Sequence, residues 1–304
     1  MNTIHLYDVV GDIPAHPIPE QAYFDHLVEV PAQCDRLHIQ VSYHRDAPEW
    51  DIMLVVTDPE NHRGTFGLNA TALGPSGDVV LSARIGGSDS TLSRAPGAIP
   101  AGVWNMQLWA AHVNQSIHYE LCVAAIREEG DAAADPIRYG MAVPSLNRSV
   151  RATPAWYRGE LHTHTTFSDG WLDPEYLAEH ARQAGAEFMA ITDHNTIGAW
   201  AALDCTPDIS IIPALEVTLP GGHSNIFGLQ RWLDWRVDYR DRSARQVLES
   251  ARAEGALISI NHPFAPGYSW RYDVPMSLID CIEVVNYPSW WPAATEYNVM
   301  ALGL

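Results

Sequence analysis

The chain has 304 residues, with 18 basic side chains, all of them Arg, against 37 acidic ones, so its formal net charge is −19. The absence of Lys excludes chemistry that needs an amine, such as a lysine Schiff base or a Walker A nucleotide site. Non-specific nucleic-acid binding and polybasic membrane contact both need a basic surface, so we expect no nucleic-acid partner and no membrane partner.

Composition and cysteine usage indicate an ordinary globular chain. Apolar residues make up 47% of the sequence and charged residues 18%, and the length predicts about two domains. The four cysteines are scattered and indicate neither a disulfide framework nor a zinc–cysteine site. No apolar run reaches the ~18 residues of a membrane span, and the first residues do not form a signal peptide pattern. We therefore expect a cytoplasmic protein.

Residues 1–127 predict an N-terminal domain made only of strands. Short apolar runs recur at fairly regular spacing, separated by clusters of Gly, Pro, Asn and Ser. This pattern is typical of a β-sandwich. The predicted strands are 36–43, 51–57, 78–85, 102–111 and 118–126. The stretch 128–154, which is acidic at first and then contains several prolines, predicts a linker.

In residues 155–304 the pattern changes to strands that alternate with helices. Asp173 and Pro174 predict the start of a helix, and Gly185 predicts its end. A second, amphipathic helix is predicted over 241–254. The predicted strands are 160–165, 187–192, 209–217, 223–229, 256–260 and 281–285. The alternation predicts an α/β domain, either a barrel or a doubly wound sheet.

Residue types that bind metals stand at the ends of these strands. His162 and His164 are two residues apart, so in a strand both imidazoles point to one face and can reach one ion. The other candidates are Asp169, His194, Glu216, His223 and His262. Each is weak alone, but in an α/β barrel the ends of successive strands form the rim where active sites assemble. Since imidazole and carboxylate both bind divalent ions, the conjunction predicts a metal site.

Taken in this order, the motifs resemble the polymerase and histidinol phosphatase (PHP) family of metal-dependent hydrolases. The matching segments are His162-Thr163-His164, Ser168-Asp169-Gly170, Thr192-Asp193-His194, Glu216, Gly222-His223 and Asn261-His262-Pro263. The resemblance covers roughly residues 157–290, and the all-β domain before it is similar to the CehA/McbA-type branch. The resemblance implies a distorted (β/α)7 barrel that holds up to three divalent ions, which are Zn, Mn or Fe.

The resemblance also implies which residues bind each ion. The ligands would be His162, His164 and Glu216 for the first ion, Glu216, His223 and His262 for the second, and Asp169 and His194 for the third. A hydroxide that bridges two ions would be the nucleophile, so no Ser, Cys or Lys nucleophile is needed.

The sequence departs from the family pattern at its end. The family's motif set closes with Ser-Asp-x-His on a last strand, and no such segment precedes Leu304. Six strands are predicted after residue 157, so we expect a barrel that is incomplete at its last strand. The first and third ion sites would each lack one ligand, and we therefore expect fewer than three ions.

Further residues near the same rim are weaker candidates. Asp193 either acts on substrate, supports a ligand, or is an ordinary turn residue. Contacts to a ligand or to substrate are proposed for Asn261, Arg271, Glu283 and Asn286. The charged run 234–242 predicts a solvated approach to the second helix. The histidines before residue 128 show no mutual ligand spacing and predict structural or surface roles.

These residues predict a metal-dependent hydrolase that acts on a small molecule. Cleavage of a phosphate ester is the activity that the resemblance implies first. Hydrolysis of a carbamate, aryl ester or amide is an alternative, because a metal hydroxide attacks carbonyl carbon as well as phosphorus. An alternative of another class is a catalytically impaired remnant that serves as a binding or assembly module.

Overall fold

A computed structural model of the protein describes residues 2–17, 21–45, 52–60, 62–67, 77–86, 98–110, 113–127, 153–200, 209–265 and 269–284. Within these ranges the chain forms fifteen β-strands and two α-helices, with short 3-10 helices at Tyr239–Asp241 and Met276–Leu278. No helix in the described ranges is both long enough and apolar enough to cross a membrane. Of the predicted linker, only residues 153 and 154 are described.

Nine strands before residue 128 form two antiparallel sheets. They are β1 (Asn2–Ile13), β2 (Tyr23–Phe24), β3 (Leu27–Val30), β4 (Arg36–Arg45), β5 (Met53–Thr57), β6 (His62–Phe66), β7 (Gly77–Ile85), β8 (Gly102–Trp109) and β9 (Ile117–Arg127). One sheet has the order β1-β9-β4-β7, and the other has the order β2-β8-β5-β6 with β3 also paired to β8. Their facing sides share one core, to which Ile39 and Leu121 contribute from the first sheet and Leu54 and Trp104 from the second. We call this unit the double sheet.

The sequence predicts some of these strands and not others. Along β7 buried and exposed residues alternate toward its end, as expected for a strand with one face on the core and one in water. The sequence does not predict β1, β2, β3 or β6. Strand β6 is polar and yet wholly buried, because its side chains find partners. For example, Arg63 Nη1 donates a hydrogen bond to Asp58 Oδ2 over 2.9 Å.

The second half of the chain forms one six-stranded sheet with two α-helices. Its elements are β10 (Gly159–Glu160), α1 (Pro174–Gln183), β11 (Phe188–Ile191), β12 (Ser210–Leu219), β13 (Gly222–Phe227), α2 (Ala244–Ala253), β14 (Leu257–Ile260) and β15 (Cys281–Ile282). The strand order follows the chain from β10 to β15. Neighbours are parallel except that β13 runs against β12 and β14.

Helix α1 begins where its sequence predicts, whereas α2 begins at Ala244, three residues after the predicted start at 241. Asp173 is the N-cap of α1, with Pro174 in the first turn. Ser243 caps α2 in a capping box, in which its side chain accepts from the Gln246 amide and the Gln246 side chain accepts from the Ser243 amide. The expected regular alternation fails at β12 and β13, since Pro220 and Gly221 turn the chain back directly and the two strands form an antiparallel hairpin.

The six-stranded sheet is curled, so that its first and last strands approach each other. Just after β10, the Leu161 carbonyl accepts a hydrogen bond from Asn225 Nδ2 on β13 over 3.2 Å. His162 Nδ1 lies 2.8 Å from Glu283 Oε1, which follows β15. The expected distorted (β/α)7 barrel, incomplete at its last strand, is represented in the described residues by a curled half-barrel of six strands.

The sheet with the order β2-β8-β5-β6 has an outer face, turned away from the core of the double sheet. This face packs against the domain that contains the curled sheet. Met53, Val55 and Trp109 belong to the same apolar cluster as Trp235, and the Trp109 and Trp235 rings meet edge to face at 5.3 Å. The β5 run Met-Leu-Val-Val is accordingly buried on both faces. The expectation of a solvated run at 234–242 is wrong for its first part, where Trp235 is 0% exposed.

His62 lies at this contact between the two domains. Its ring stacks on Trp232 with centroids 4.4 Å apart. Its Nε2 is 2.9 Å from Thr65 Oγ1, and Thr65 Oγ1 itself donates to the Asn195 carbonyl of the curled-sheet domain. Burial, together with the positive charge of Arg236, lowers the pKa of His62 to about 3.

We expect His62 to make the protein sensitive to acid. In the unfolded chain His62 gains a proton near pH 6.5, whereas in the folded chain it does so near pH 3, so stability falls as the pH drops between these values. At pH 5 the loss is about 2 kcal/mol. Urea unfolding of metal-free protein from pH 7 to pH 5 should show this loss, and His62→Gln should flatten it. His118→Gln, on the exposed surface, is the control; an equal slope in the wild type and His62→Gln would contradict the assignment.

Candidate metal centre

The segment after β10 places two histidines on one side of the chain. Between them, Thr163 turns the other way, toward β11, where its Oγ1 donates to the Ala190 carbonyl over 2.6 Å. The Thr163 carbonyl accepts the amide of Thr192 over 2.9 Å. Regular strand pairing is shorter than predicted, but the extended alternation holds, so His162 and His164 face the interior of the curled sheet together.

A tight loop brings Asp169 beside these histidines. The amides of Ser168 and Gly170 both donate to the Thr165 carbonyl. A side chain at position 170 would collide with the backbone of His164, since a Cβ there would lie 2.2 Å from the His164 carbonyl oxygen. The glycine therefore permits the close turn that returns Asp169 to His164.

Strands β11, β12 and β13 supply three more predicted ligands. His194 follows β11 and forms a parallel bridge with Glu216 of β12. Glu216 lies inside β12 and is 0% exposed. His223 is at the start of β13, where Gly222 has a φ of 121° and lies so close to Trp270 that a Cβ would meet it at 2.7 Å. Glycine at this position thus lets β13 begin one residue before His223.

All five predicted histidine ligands contact the carboxylate of Glu216. The distances are 3.2 Å from His162 Nε2, 3.5 Å from His164 Nε2, 2.8 Å from His194 Nδ1, 3.3 Å from His223 Nδ1 and 3.6 Å from His262 Nε2. Asp169 forms a second acidic point, with its two oxygens 3.5 Å from His164 Nδ1 and 3.5 Å from His194 Nε2. The structure therefore brings all seven predicted ligands together.

Two of the histidines are held in the protonated form when no metal is bound. Burial disfavours the charged form of His162, but Glu216 and Glu283 outweigh this effect and raise the pKa of His162 to about 10. Burial acts likewise on His194, and there Glu216 and Asp169 raise the pKa to about 10. In return the histidines hold the pKa of Glu216 well below its usual range, although burial alone would raise it.

The neighbouring histidines are neutral for the opposite reason. Burial and the positive charge of His194 lower the pKa of His164 to about 3. Burial also lowers the pKa of His223, more than Glu216 raises it. A neutral imidazole has a free lone pair, which is the form that binds a metal.

The donor set fits divalent metal ions. His164 Nδ1, Asp169 Oδ1 and Glu216 Oε2 are buried atoms for which the described residues offer no hydrogen bond of good geometry. Such atoms are costly in a protein interior unless something binds them. Three ligand groups have their atoms within 4.8 Å of one another, namely His162–His164–Glu216, His164–Asp169–His194 and His194–Glu216–His223. Nitrogen and oxygen donors of this kind suit Zn²⁺, Mn²⁺ or Fe²⁺.

The grouping differs in detail from the one that the resemblance implies. His194 is shared between Asp169 and Glu216, because its two ring nitrogens face the two carboxylates. His262 stands somewhat farther from Glu216 than the other four histidines do. Its φ of 27° is unusual for a residue that is not glycine, and the Glu283 carboxylate accepts its amide over 2.9 Å.

Three polar residues orient the ligands. Glu283 accepts from both His162 and His262, and Asn261 Nδ2 donates to Glu216 Oε1 over 2.8 Å. Thr218 Oγ1, which the sequence reading missed, lies 2.5 Å from His194 Nδ1. A signal was present, because Thr218 stands two residues after Glu216 and so shares its face of β12. Outer contacts of this type fix the ring orientation of metal ligands.

The other weaker candidates lie elsewhere. The Arg271 guanidinium is exposed and donates to the Pro220 carbonyl at the hairpin turn. Asn286 is outside the described residues. Asp193 is 1% exposed and accepts the Thr165 amide, the Thr165 hydroxyl and the Ser168 hydroxyl over 2.6 to 2.7 Å. Burial raises its pKa, and these hydrogen bonds offset part of the rise.

We expect Asp193→Ala to destabilise the protein and to loosen the loop that carries Asp169. The substitution leaves three buried donors without an acceptor, at about 1–3 kcal/mol for each such group, so a loss of about 3 kcal/mol or more should appear in urea unfolding. Metal content after dialysis should fall as well. Glu175→Ala, on the exposed face of α1, should stay within about 0.5 kcal/mol of wild type. Unchanged stability in Asp193→Ala would contradict this role.

Comparison with known proteins finds partial relatives. No family model matches the chain. It is 31% identical over 143 residues to the 5'-3' exoribonuclease Rnm of Escherichia coli K12, covering 40% of this chain and 48% of that protein. It is 37% identical over 109 residues to the protein of the same name from Salmonella typhimurium, covering 33% of this chain and 36% of that protein. The matched region spans about half, or less, of these relatives.

Two solved structures show weak likeness. One is a protein from Bifidobacterium adolescentis whose assigned function is that of a metal-dependent phosphoesterase. It aligns with a TM-score of 0.36 at 15% identity, and the alignment covers 48% of this chain and 83% of the other. The other, from Bacteroides vulgatus, is a two-domain protein with a predicted PHP-like metal-dependent phosphoesterase domain; it has a TM-score of 0.28 at 21% identity and covers 46% and 40%. Likeness this low does not establish a shared fold.

Proposed function

We propose that the protein is a metal-dependent hydrolase of the PHP type that acts on phosphate esters. The observation that carries this proposal is the convergence of five imidazoles on the fully buried carboxylate of Glu216, with Asp169 beside them. Such a set of nitrogen and oxygen donors has no structural purpose that an apolar core would not serve at lower cost. It has a clear purpose as a site for two or more divalent ions.

His162, His164 and Glu216 would hold one ion, and Glu216 with His194 and His223 would hold another. When bound, such ions supply the nucleophile by lowering the pKa of water toward neutrality and stabilise charge on a phosphoryl group. The residues of the chain hold this arrangement in place. Glu283 fixes the His162 ring, and Asn261 fixes the Glu216 carboxylate.

Substrate would enter on the side of Asp169, where the cluster meets solvent. The side chains of His164 and Asp169 are 22% and 32% exposed, whereas Glu216, on the inner side, is 0% exposed. A phosphate group approaching there would meet the ions at the acidic edge.

A phosphodiester at the end of an RNA is a second candidate substrate, favoured by the name of the curated relatives. It stands against our expectation that an acidic protein has no nucleic-acid partner. The two are compatible if the bound ions, rather than basic side chains, contact the phosphate. Carbamates, aryl esters and amides are the candidates if no phosphate ester is cleaved. The cytoplasm remains the proposed compartment.

A substrate panel with matched variants tests the proposal. Purified protein loaded with Mn²⁺ or Zn²⁺ is assayed on phosphomonoesters, phosphodiesters, a short 5'-phosphorylated RNA and aryl carbamates. We expect turnover of at least one phosphate ester, lost on chelation and in His164→Ala, and kept in His180→Ala, an exposed histidine of α1. Turnover of carbamates alone would show that the substrates are carbamates rather than phosphate esters. Absence of any turnover in protein that holds metal would favour the remnant that acts as a binding module.

A further inference from the structure

A second group of metal-binding side chains lies on the outer face of the double sheet, in strands β1 and β9. The register between these strands shifts between His5 and Tyr7, so Leu6 is an extra residue that forms a β-bulge. Without the bulge, His5 and Asp8 would point to opposite faces, since they are three residues apart. With it, both lie on the outer face, and Asp8 stands directly opposite Cys122.

The three side chains are close enough to share an ion. Their donor atoms all lie within 4.8 Å of one another, and His5 Nδ1 is 3.8 Å from Asp8 Oδ2. Ligand atoms around a tetrahedral ion with bonds of about 2.0–2.3 Å are about 3.3–3.8 Å apart. The His5 and Asp8 side chains are 70% and 66% exposed, so small rotations can close the remaining gap without disturbing the core.

We propose that His5, Asp8 and Cys122 form a binding site for a thiophilic divalent ion of the Zn²⁺ type, with water in the fourth position. A thiolate, an imidazole and a carboxylate are all preferred ligands of Zn²⁺, whereas Mg²⁺ and Mn²⁺ prefer oxygen. In the metal-free protein a hydrogen bond with Asp8 raises the pKa of the Cys122 thiol to about 11, so the ion takes the place of the thiol proton.

Binding at this site would join an edge strand to its neighbour. Strand β1 pairs with β9 alone in the described sheet, and its free side has no partner strand there. An ion held by His5 and Asp8 of β1 and by Cys122 of β9 would link the two strands through side chains in addition to their backbone hydrogen bonds. We therefore expect the ion to slow hydrogen exchange of the β1 amides.

Cobalt spectroscopy tests this site separately from the central one. The central cluster has only nitrogen and oxygen donors, so a thiolate-to-cobalt charge-transfer band in the near ultraviolet reports Cys122. Wild-type protein titrated with Co²⁺ under a reductant without thiols should show this band, and one equivalent of Zn²⁺ per band-forming site should abolish it. Cys122→Ser and His5→Ala should lose the band while keeping the weaker visible bands of the central site.

Cys281→Ser, which removes an exposed cysteine elsewhere, is the matched control and should keep the band. Retained visible bands show that a variant is folded. Absence of the charge-transfer band in wild type, or its persistence in Cys122→Ser, would overturn the proposal. Neither result bears on hydrolysis at the Glu216 cluster, because the two sites share no residue.

Discussion

Glu216→Gln should bind far less metal than wild type and should lose more than ~10²-fold of any hydrolytic activity. Removing a residue that only orients a metal ligand typically lowers metal affinity or activity by about 10–100-fold. The effect should be larger here, because Glu216 itself contacts all five histidines. The amide keeps the volume of the side chain but removes the charge that two ions would share. Metal content after dialysis, measured by mass spectrometry, and rates on the best substrate of the panel provide the two readings.

Glu249→Gln is the matched control for this variant. Glu249 is an exposed residue of α2 that pairs with Arg245, so the same chemical change there should alter neither metal content nor rate. Circular dichroism establishes that both variants are folded. Full metal content in Glu216→Gln would show that the carboxylate is not the centre of the site and would remove the main support for a hydrolase.

The sequence was sufficient to find the residues of this cluster because each has a local signal. His162 and His164 share a strand face by their spacing, and His194 and His262 each follow an apolar run. The structure places these histidines around Glu216 because the ends of neighbouring strands are close in a curled sheet. Their pairwise distances, and the sharing of His194 between two carboxylates, depend on contacts between distant segments that spacing cannot supply.

The features of the fold that the sequence did not predict also have physical explanations. The β12–β13 hairpin was signalled by Pro220-Gly221 between two apolar runs, but the surrounding α/β alternation suggested parallel strands. The burial of Trp235 and its neighbours could not be predicted, because it depends on the outer face of β5 and β8. Arg236 tolerates burial there by pairing with Asp234 and with Gln107 of β8, and such a distant partner leaves no pattern in the sequence.

Metal binding to the cluster should displace protons, because two of its histidines are protonated when no metal is bound. Without metal, the protons on His162 and His194 neutralise two of the surrounding carboxylates. Because both pKa values are raised from 6.5 to about 10, these histidines stabilise the metal-free fold below pH 6.5, and that contribution is lost as the pH rises toward 10. An ion held by His162 and an ion held by His194 would each compete with one of these protons for a ring nitrogen.

Binding of the two ions at pH 8 should therefore release about two protons, one for each ion, and the affinity for each ion should rise by about 10-fold for each pH unit between 7 and 9. Calorimetric titration with Mn²⁺ in buffers of different ionisation enthalpy measures the number released. In Glu216→Gln the histidines lose the charge that keeps them protonated, so its residual binding should release fewer protons. Glu249→Gln should release as many as wild type. Binding without proton release, at unchanged affinity across this range, would mean that His162 and His194 are already neutral, and the ion would then have to enter a site of different charge.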